Sequence, residues 1–248
     1  MEKVFIKFDK DPQYTMKESL RTLRTNIQFC GDDVRTILFT SCIPDEGKSS
    51  VVLNLARSIS ESGKNVLLID TDMRKSVLLR TLHARGENNK EIFGLSHYLS
   101  GQKNIEEVFY STDVPGFFVV FAGPSVPNPT EILEKNYMKE LIDLGRSYFD
   151  YVLVDCAPLG AAIDAAVVAK YCDGAVLVVE QGVVNFRMLL DSKKQLEASG
   201  IRILGSVINK VKMKKSNYYY KKYYGGYGNY YGGSEDDHDK HFSGNKDK

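Results

Sequence analysis

Short runs of branched apolar residues recur along the chain, and most are followed by a longer stretch with helical periodicity. Ile37-Leu38-Phe39-Thr40, Val66-Leu67-Leu68-Ile69, Phe118-Val119-Val120-Phe121, Tyr151-Val152-Leu153-Val154, 175–179 and 203–208 read as strands. Their apolar character is continuous rather than alternating, so neither face is expected to meet water. Residues 50–62, 130–146, 164–171 and 186–199 read as helices, as does 16–29, with Leu20, Leu23 and Ile27 on one stripe. This alternation predicts an α/β three-layer sandwich, a mostly parallel central sheet with helices on both faces. Ligands in such folds bind at the carboxyl ends of the strands.

The strand over 37–40 runs into Cys42-Ile43-Pro44-Asp45-Glu46-Gly47-Lys48-Ser49-Ser50, and a helix follows. That is the context of a phosphate-binding loop, in which backbone N–H groups turn inward towards a triphosphate. Asp45, Glu46, Gly47, Lys48, Ser49 and Ser50 are the expected nucleotide contacts, with Lys48 on the β/γ-phosphates and the Ser49 hydroxyl on Mg²⁺. Cys42 replaces the glycine or alanine usual at the first small position. Two more strands end in carboxylates: Asp70-Thr71-Asp72-Met73-Arg74 after 66–69, and Asp155-Cys156-Ala157-Pro158 after 151–154. Continued in extended form, the first segment would put Asp70 and Asp72 on one side. Any one of these acids alone reads as a turn cap, but three strand ends meeting at one loop read as a site.

The composition narrows the possible partners. A net charge of +1 gives no global attraction to nucleic acid, so none is expected as a partner. Cys30, Cys42, Cys156 and Cys172 lack metal-type spacing, and mostly apolar surroundings suggest reduced thiols of a cytoplasmic protein. No apolar run is long enough to span a bilayer, and Met1–Lys7 lacks a signal-peptide core. Direct membrane insertion is therefore not expected, and any membrane association would come through a partner.

From about Val211 the aliphatic residues nearly vanish. Eight of the 15 tyrosines follow: Tyr218, Tyr219, Tyr220, Tyr223, Tyr224, Tyr227, Tyr230 and Tyr231. A segment so poor in aliphatic surface is expected to be a flexible tail over 211–248, leaving 1–210 as the folded domain. Within that domain a helix over about 14–30 carries Glu18, Arg21 and Arg24 at i, i+3 spacing. These residues form one charged ridge, which by itself is an ordinary solvated face.

Taken together, these motifs resemble the bacterial tyrosine kinases that govern capsule and exopolysaccharide synthesis. The resemblance rests on Gly47-Lys48-Ser49-Ser50, Asp70-Thr71-Asp72-Met73-Arg74 and Asp155-Cys156-Ala157-Pro158. It extends to Gly123-Pro124-Ser125-Val126-Pro127-Asn128-Pro129, Asn209-Lys210, Glu18-x-x-Arg21-x-x-Arg24 and the tyrosine tail. It implies a P-loop NTPase-like fold using ATP and Mg²⁺. Lys48, Asp70, Asp72 and Asp155 would be catalytic, and Ser49, Asp72 and Asp155 would serve the metal. Asp70 is the expected base for the tyrosine hydroxyl, although it and Asp72 could exchange roles. Asn209 would contact adenine or simply close a strand-end turn.

The resemblance also implies tail phosphorylation in trans within a ring-like homo-oligomer joined through Glu18, Arg21 and Arg24. Partners would be a transmembrane activator, acting through its cytoplasmic tail, and a cognate tyrosine phosphatase. The kinase would then be peripheral to the cell membrane. The rivals are a partition-type ATPase switch and a nucleotide-gated scaffold. The partition ATPases carry an early loop lysine, and Ser41-Cys42-Ile43-Pro44-Asp45-Glu46 has none.

Overall fold

The apolar runs pair side by side. The computed structural model describes residues 1–8 and 11–212. Its strands are β1 (Glu2–Phe5), β2 (Thr36–Ser41), β3 (Val66–Asp70), β4 (Arg85–Gly86), β5 (Tyr110–Thr112), β6 (Phe117–Val120), β7 (Tyr151–Asp155), β8 (Gly174–Glu180) and β9 (Ile203–Asn209). They form one sheet in the order β4-β1-β5-β6-β3-β7-β2-β8-β9. The central pairs are parallel, and only β1–β4 and β5–β6 run antiparallel. The sequence-based calls on 213–248, including all eight tail tyrosines, lie outside the described residues.

The helices are α1 (Tyr14–Gln28), α2 (Lys48–Ser60), α3 (Leu78–Thr81), α4 (Leu95–Leu99), α5 (Pro129–Leu133), α6 (Asn136–Tyr148), α7 (Asp164–Ala169) and α8 (Phe186–Ala198). Side-chain alternation along β3 divides the core between the two faces of the sheet. Leu67 and Ile69 join Met138, Leu141 and Leu196 on one face. Val66 and Leu68 join Leu20, Ile27, Val52 and Leu55 on the other. Both faces of the central strands are dry, as their continuous apolar runs require, but β9 is not: it is the last strand of the sheet, covered on one edge only, and Gly205, Ser206 and Ile208 are exposed.

Residues 130–146 do not form the single helix that periodicity suggests. Lys135 takes an extended conformation between α5 and α6. Leu133 and Met138 are both fully buried, yet they are five residues apart. A continuous helix would turn Asn136 and Tyr137 towards the core beneath Leu133. The break resets the phase so that Met138, Leu141 and Ile142 face inward. Residues 80–101, polar and irregular by sequence, contain β4 and α4, and α4 buries Leu95, Tyr98 and Leu99.

Candidate active site

The phosphate-binding loop leaves β2 at Ser41 and enters α2 at Lys48. Asp45 and Gly47 both adopt left-handed conformations, with φ of 67° and 81°. Gly47 has no room for a side chain, since a Cβ there would lie 2.2 Å from Asn209 Nδ2. Gly160, in the loop after β7, packs equally close: its Cβ would meet the Cys42 carbonyl oxygen at 2.6 Å. Its N–H donates to that same oxygen at 2.9 Å.

The Glu46 carboxylate is taken up by backbone donors. Buried, it accepts hydrogen bonds from Ile43 N within the loop and from Glu180 N at the end of β8, each at 2.8 Å. Asn209 Nδ2 donates to the Glu46 carbonyl at 2.8 Å. Lys210 Nζ donates to the Asp45 carbonyl at 2.6 Å and pairs with Glu180 at 2.8 Å. The loop is thus bolted to the ends of β8 and β9, and its left-handed turns are held from outside. Sequence reasoning names Lys210 only beside Asn209, with no role, and does not find Glu180, although both stand at strand ends.

Lys48 is buried beneath the loop and pairs with Asp155 Oδ1. Asp155 and Asp70 are register partners at the ends of β7 and β3. Burial opposes charge on Lys48, but Asp155, then Asp70 and Asp72, together hold its ammonium above the usual range. Asp70 is fully enclosed, and burial, reinforced by the Asp155 charge, pushes its carboxyl up to about 7. Its oxygens accept from Ser76 Oγ at 2.6 Å and Asp72 N at 3.0 Å.

The chain turns after Asp70 instead of continuing extended. Thr71 N and Oγ1 both donate to the Asp155 carbonyl at 2.9 Å and extend the ladder by one rung, and the turn follows, with Met73 N donating to the Thr71 carbonyl at 2.9 Å. Asp70 therefore lies below the floor while Asp72 reaches the rim. Asp72 Oδ1 accepts from Lys75 N at 3.0 Å and Arg74 N at 3.3 Å.

Above these groups lies a cleft of about 280 Å³. It is lined by Asp45 to Ser50, Asp72, Lys75 and Pro158, among others. The inward-turning loop and buried cation fit the phosphates of ATP. Ser49 Oγ and the Asp72 carboxylate are hard oxygen donors suited to Mg²⁺. Among the described residues there is no cluster of three or more His, Cys, Asp or Glu that could hold a metal. Mg²⁺ takes one or two protein ligands and completes its shell with phosphate and water.

A family model described as an AAA domain matches residues 35–182. The chain is 38% identical over 202 residues to the tyrosine-protein kinase CpsD of Streptococcus agalactiae, covering 82% of this chain and 86% of that one. The chain belongs to the bacterial tyrosine-protein kinases. Its reaction is phosphoryl transfer from ATP to protein tyrosine. A further relative, the tyrosine-protein kinase ptk of Acinetobacter johnsonii, is 31% identical over 203 residues, which are 81% of this chain but 27% of that longer protein. The kinase domain of the Escherichia coli tyrosine kinase ETK superposes with a TM-score of 0.72 at 31% identity, covering 81% of this chain and 79% of that one. The cleft and the contacts that hold its loop draw on the ends of β2, β3, β7, β8 and β9.

The ridge on α1 divides. Arg21 pairs with Glu18 at 2.5 Å on the exposed side. Arg24 instead turns inward and donates to the Ser58 carbonyl on α2 at 2.5 Å. The four cysteines are free thiols, with Cys42 and Cys156 buried. Among the described residues no helix is long and apolar enough to cross a membrane.

Proposed function

We propose that this kinase phosphorylates its own tyrosine cluster, Tyr218 to Tyr231, in trans within a homo-oligomer, and thereby regulates capsule or exopolysaccharide synthesis. The observation that carries the reading is the convergence of Asp155, Asp70 and Asp72 on the buried Lys48. Bound Mg·ATP supplies the phosphoryl group and the metal charge. Lys48 offers its fixed positive charge to the β/γ-phosphates. Ser49 would ligate the metal directly, and Asp72 and Asp155 would hold its waters. The proton of the tyrosine hydroxyl, a group that ordinarily ionises near ~10, goes to Asp70 once acceptor binding uncovers it, or to Asp72, which already reaches the cleft.

A transmembrane activator acting through its cytoplasmic tail fits the ptk relative, in which the matched region is about a quarter of a longer protein. Such a partner would hold the kinase at the membrane, and a tyrosine phosphatase would reverse the modification. Each phosphate would add about −1.5 to −2 of charge, so modified tails would repel one another and loosen the oligomer. The lack of a lysine in Ser41-Cys42-Ile43-Pro44-Asp45-Glu46 favours this reading over a partition-type switch, and neither that switch nor a scaffold makes phosphotyrosine.

The test is incubation with Mg·ATP, with and without the cytoplasmic tail of the candidate activator, read by phosphopeptide mass spectrometry. Lys48→Met subunits are mixed with subunits whose tail tyrosines are replaced by Phe. Phosphate on the Lys48→Met chains is the expected result and demonstrates transfer in trans. ATP hydrolysis without phosphotyrosine would overturn the reading in favour of the ATPase switch.

A further inference from the structure

Asp164 is a buried carboxylate that lies outside the three acidic positions of the site. It opens α7, yet its side chain does not cap that helix. Instead it accepts Arg74 Nε at 2.8 Å, Arg74 Nη2 at 3.2 Å and Thr130 Oγ1 at 2.6 Å. Arg74 Nη2 also donates to Thr130 Oγ1 at 3.2 Å, which closes a triangle between the β3 loop, α5 and α7.

A two-pronged guanidinium–carboxylate pair fixes direction as well as distance. A buried carboxylate is costly unless so partnered, and the needs of α7 do not account for this one. What the pair does fix is the loop that carries Asp72. The backbone N–H of Arg74 donates to Asp72 Oδ1, as does that of Lys75. Pinning the Arg74 side chain therefore pins the amides on which the Asp72 carboxylate rests. The anchor belongs to the segment that follows Asp155, so it also sets the β3 loop relative to the β7 loop.

We propose that Asp164 is a positioning residue for phosphoryl transfer, acting through Arg74 to hold the Asp72 carboxylate at the rim of the cleft. The proposal rests on the metal-binding role given to Asp72 above. Thr130 completes the anchor by donating to the Asp164 Oδ1 that also accepts Arg74 Nη2. Partners that orient metal-ligating groups in this way typically contribute about 10-fold to 100-fold in metal affinity or activity.

The experiment compares Asp164→Asn, Arg74→Gln and the double variant in the full chain. The first readout is hydrogen exchange at the amides of Arg74 and Lys75 without nucleotide. Asp164→Asn is expected to raise it at least about tenfold while the β2 and β3 amides keep their protection. The second readout is the Mg²⁺ concentration that half-saturates binding of a fluorescent ADP, expected to rise about tenfold in each single variant. The double variant should be no worse than either single one, because one strut is removed in all three.

Thr130→Ser, which keeps the hydroxyl, should restore what Thr130→Ala loses. The Thr130 pair also tests the proposal without unpairing a charge, should Asp164→Asn fold poorly. Unchanged exchange at 74 and 75, or additive losses in the double variant, would overturn the strut. Both binding readouts need no tyrosine acceptor. A wild-type chain that made no phosphotyrosine would therefore count against the proposed function and leave the strut to stand or fall by itself.

Discussion

Lys48 and Asp155 form an ion pair beneath the phosphate-binding loop, with side chains only 6% and 2% exposed. A pair so enclosed is held by mutual compensation, and removing one partner strands the other. The pair keeps Lys48 charged and places it where the phosphates will lie. Lys48→Met should therefore do two separable things. Phosphotyrosine formation should fall by more than about a hundredfold, the scale for losing a fixed group that stabilises developing charge. Stability should fall on the order of 3 kcal/mol, because the Asp155 carboxylate is left buried alone. The double variant Lys48→Met/Asp155→Asn should recover most of the stability and none of the transfer. Urea melts and phosphotyrosine blots decide it; a double variant no more stable than the single one refutes the pairing argument.

Asp70 makes the stability of the nucleotide-free protein depend on pH. Its carboxyl titrates at about 7 in the fold, raised by burial and by Asp155, against roughly 3.9 in the unfolded chain. Between those values the folded state binds the extra proton, so stability falls as pH rises through this window and stays low above it. Asp70→Asn removes the titration and keeps a side chain that can bond Ser76 and the Asp72 amide. Its stabilising effect should be larger at pH 8 than at pH 5, by on the order of 2 kcal/mol. The same substitution should abolish phosphotyrosine formation while ADP still binds. Thermal melts of the metal-free chain at both pH values test the first claim; equal effects at both would refute it.

The two left-handed residues of the loop should respond in opposite ways to substitution. Gly47→Ala places a Cβ against Asn209 Nδ2 and forces that amide off the Glu46 carbonyl. Loss of that bond, added to the left-handed strain of roughly 1–2 kcal/mol, should weaken ADP binding at least about tenfold. Asp45→Gly relieves strain at a φ of 67°, so it should be neutral within about 1 kcal/mol. Titration of a fluorescent ADP compares them. Similar losses in both would mean that the Asp45 side chain itself contacts nucleotide.

The parts of this site that the sequence makes legible are those governed by local rules. The strands that deliver Asp70 and Asp155 are continuous branched runs, and the turn into α2 carries its own Gly-Lys-Ser signature. What escapes is set by tertiary contact. Glu46 reads as a nucleotide ligand because it lies in the loop, yet its carboxylate is consumed by Ile43 N and Glu180 N. No local pattern links Glu46 to a residue 134 positions away. Arg74 and Asp164 are 90 residues apart, and the helix-start aspartate gives no sign of its partner. Strands β1 and β4, at one end of the sheet, are too short, and too rich in Glu, Lys and Arg, to show a period.

The charged ridge on α1 divides into a structural half and an exposed half, and the two arginines should separate by experiment. Arg24 is half-buried, and its guanidinium reaches across to the Ser58 carbonyl and hydroxyl on α2. Arg24→Ala should loosen α1 from α2 and cost about 1.5–3 kcal/mol, the range for a hydrogen bond to a charged group. Arg21 pairs only with Glu18 one turn back, and its side chain is 61% exposed. That pair contributes at most about 0.5 kcal/mol, so Arg21→Ala should leave the melting temperature within a degree or two. If α1 joins subunits, Arg21→Ala should still shift the chain to a smaller species on a sizing column with light scattering and weaken trans phosphorylation. Arg24→Ala should do the same only with a lowered melting temperature. An Arg21→Ala chain with unchanged mass would remove Arg21 from the interface and leave the Arg21–Glu18 pair an ordinary solvated one.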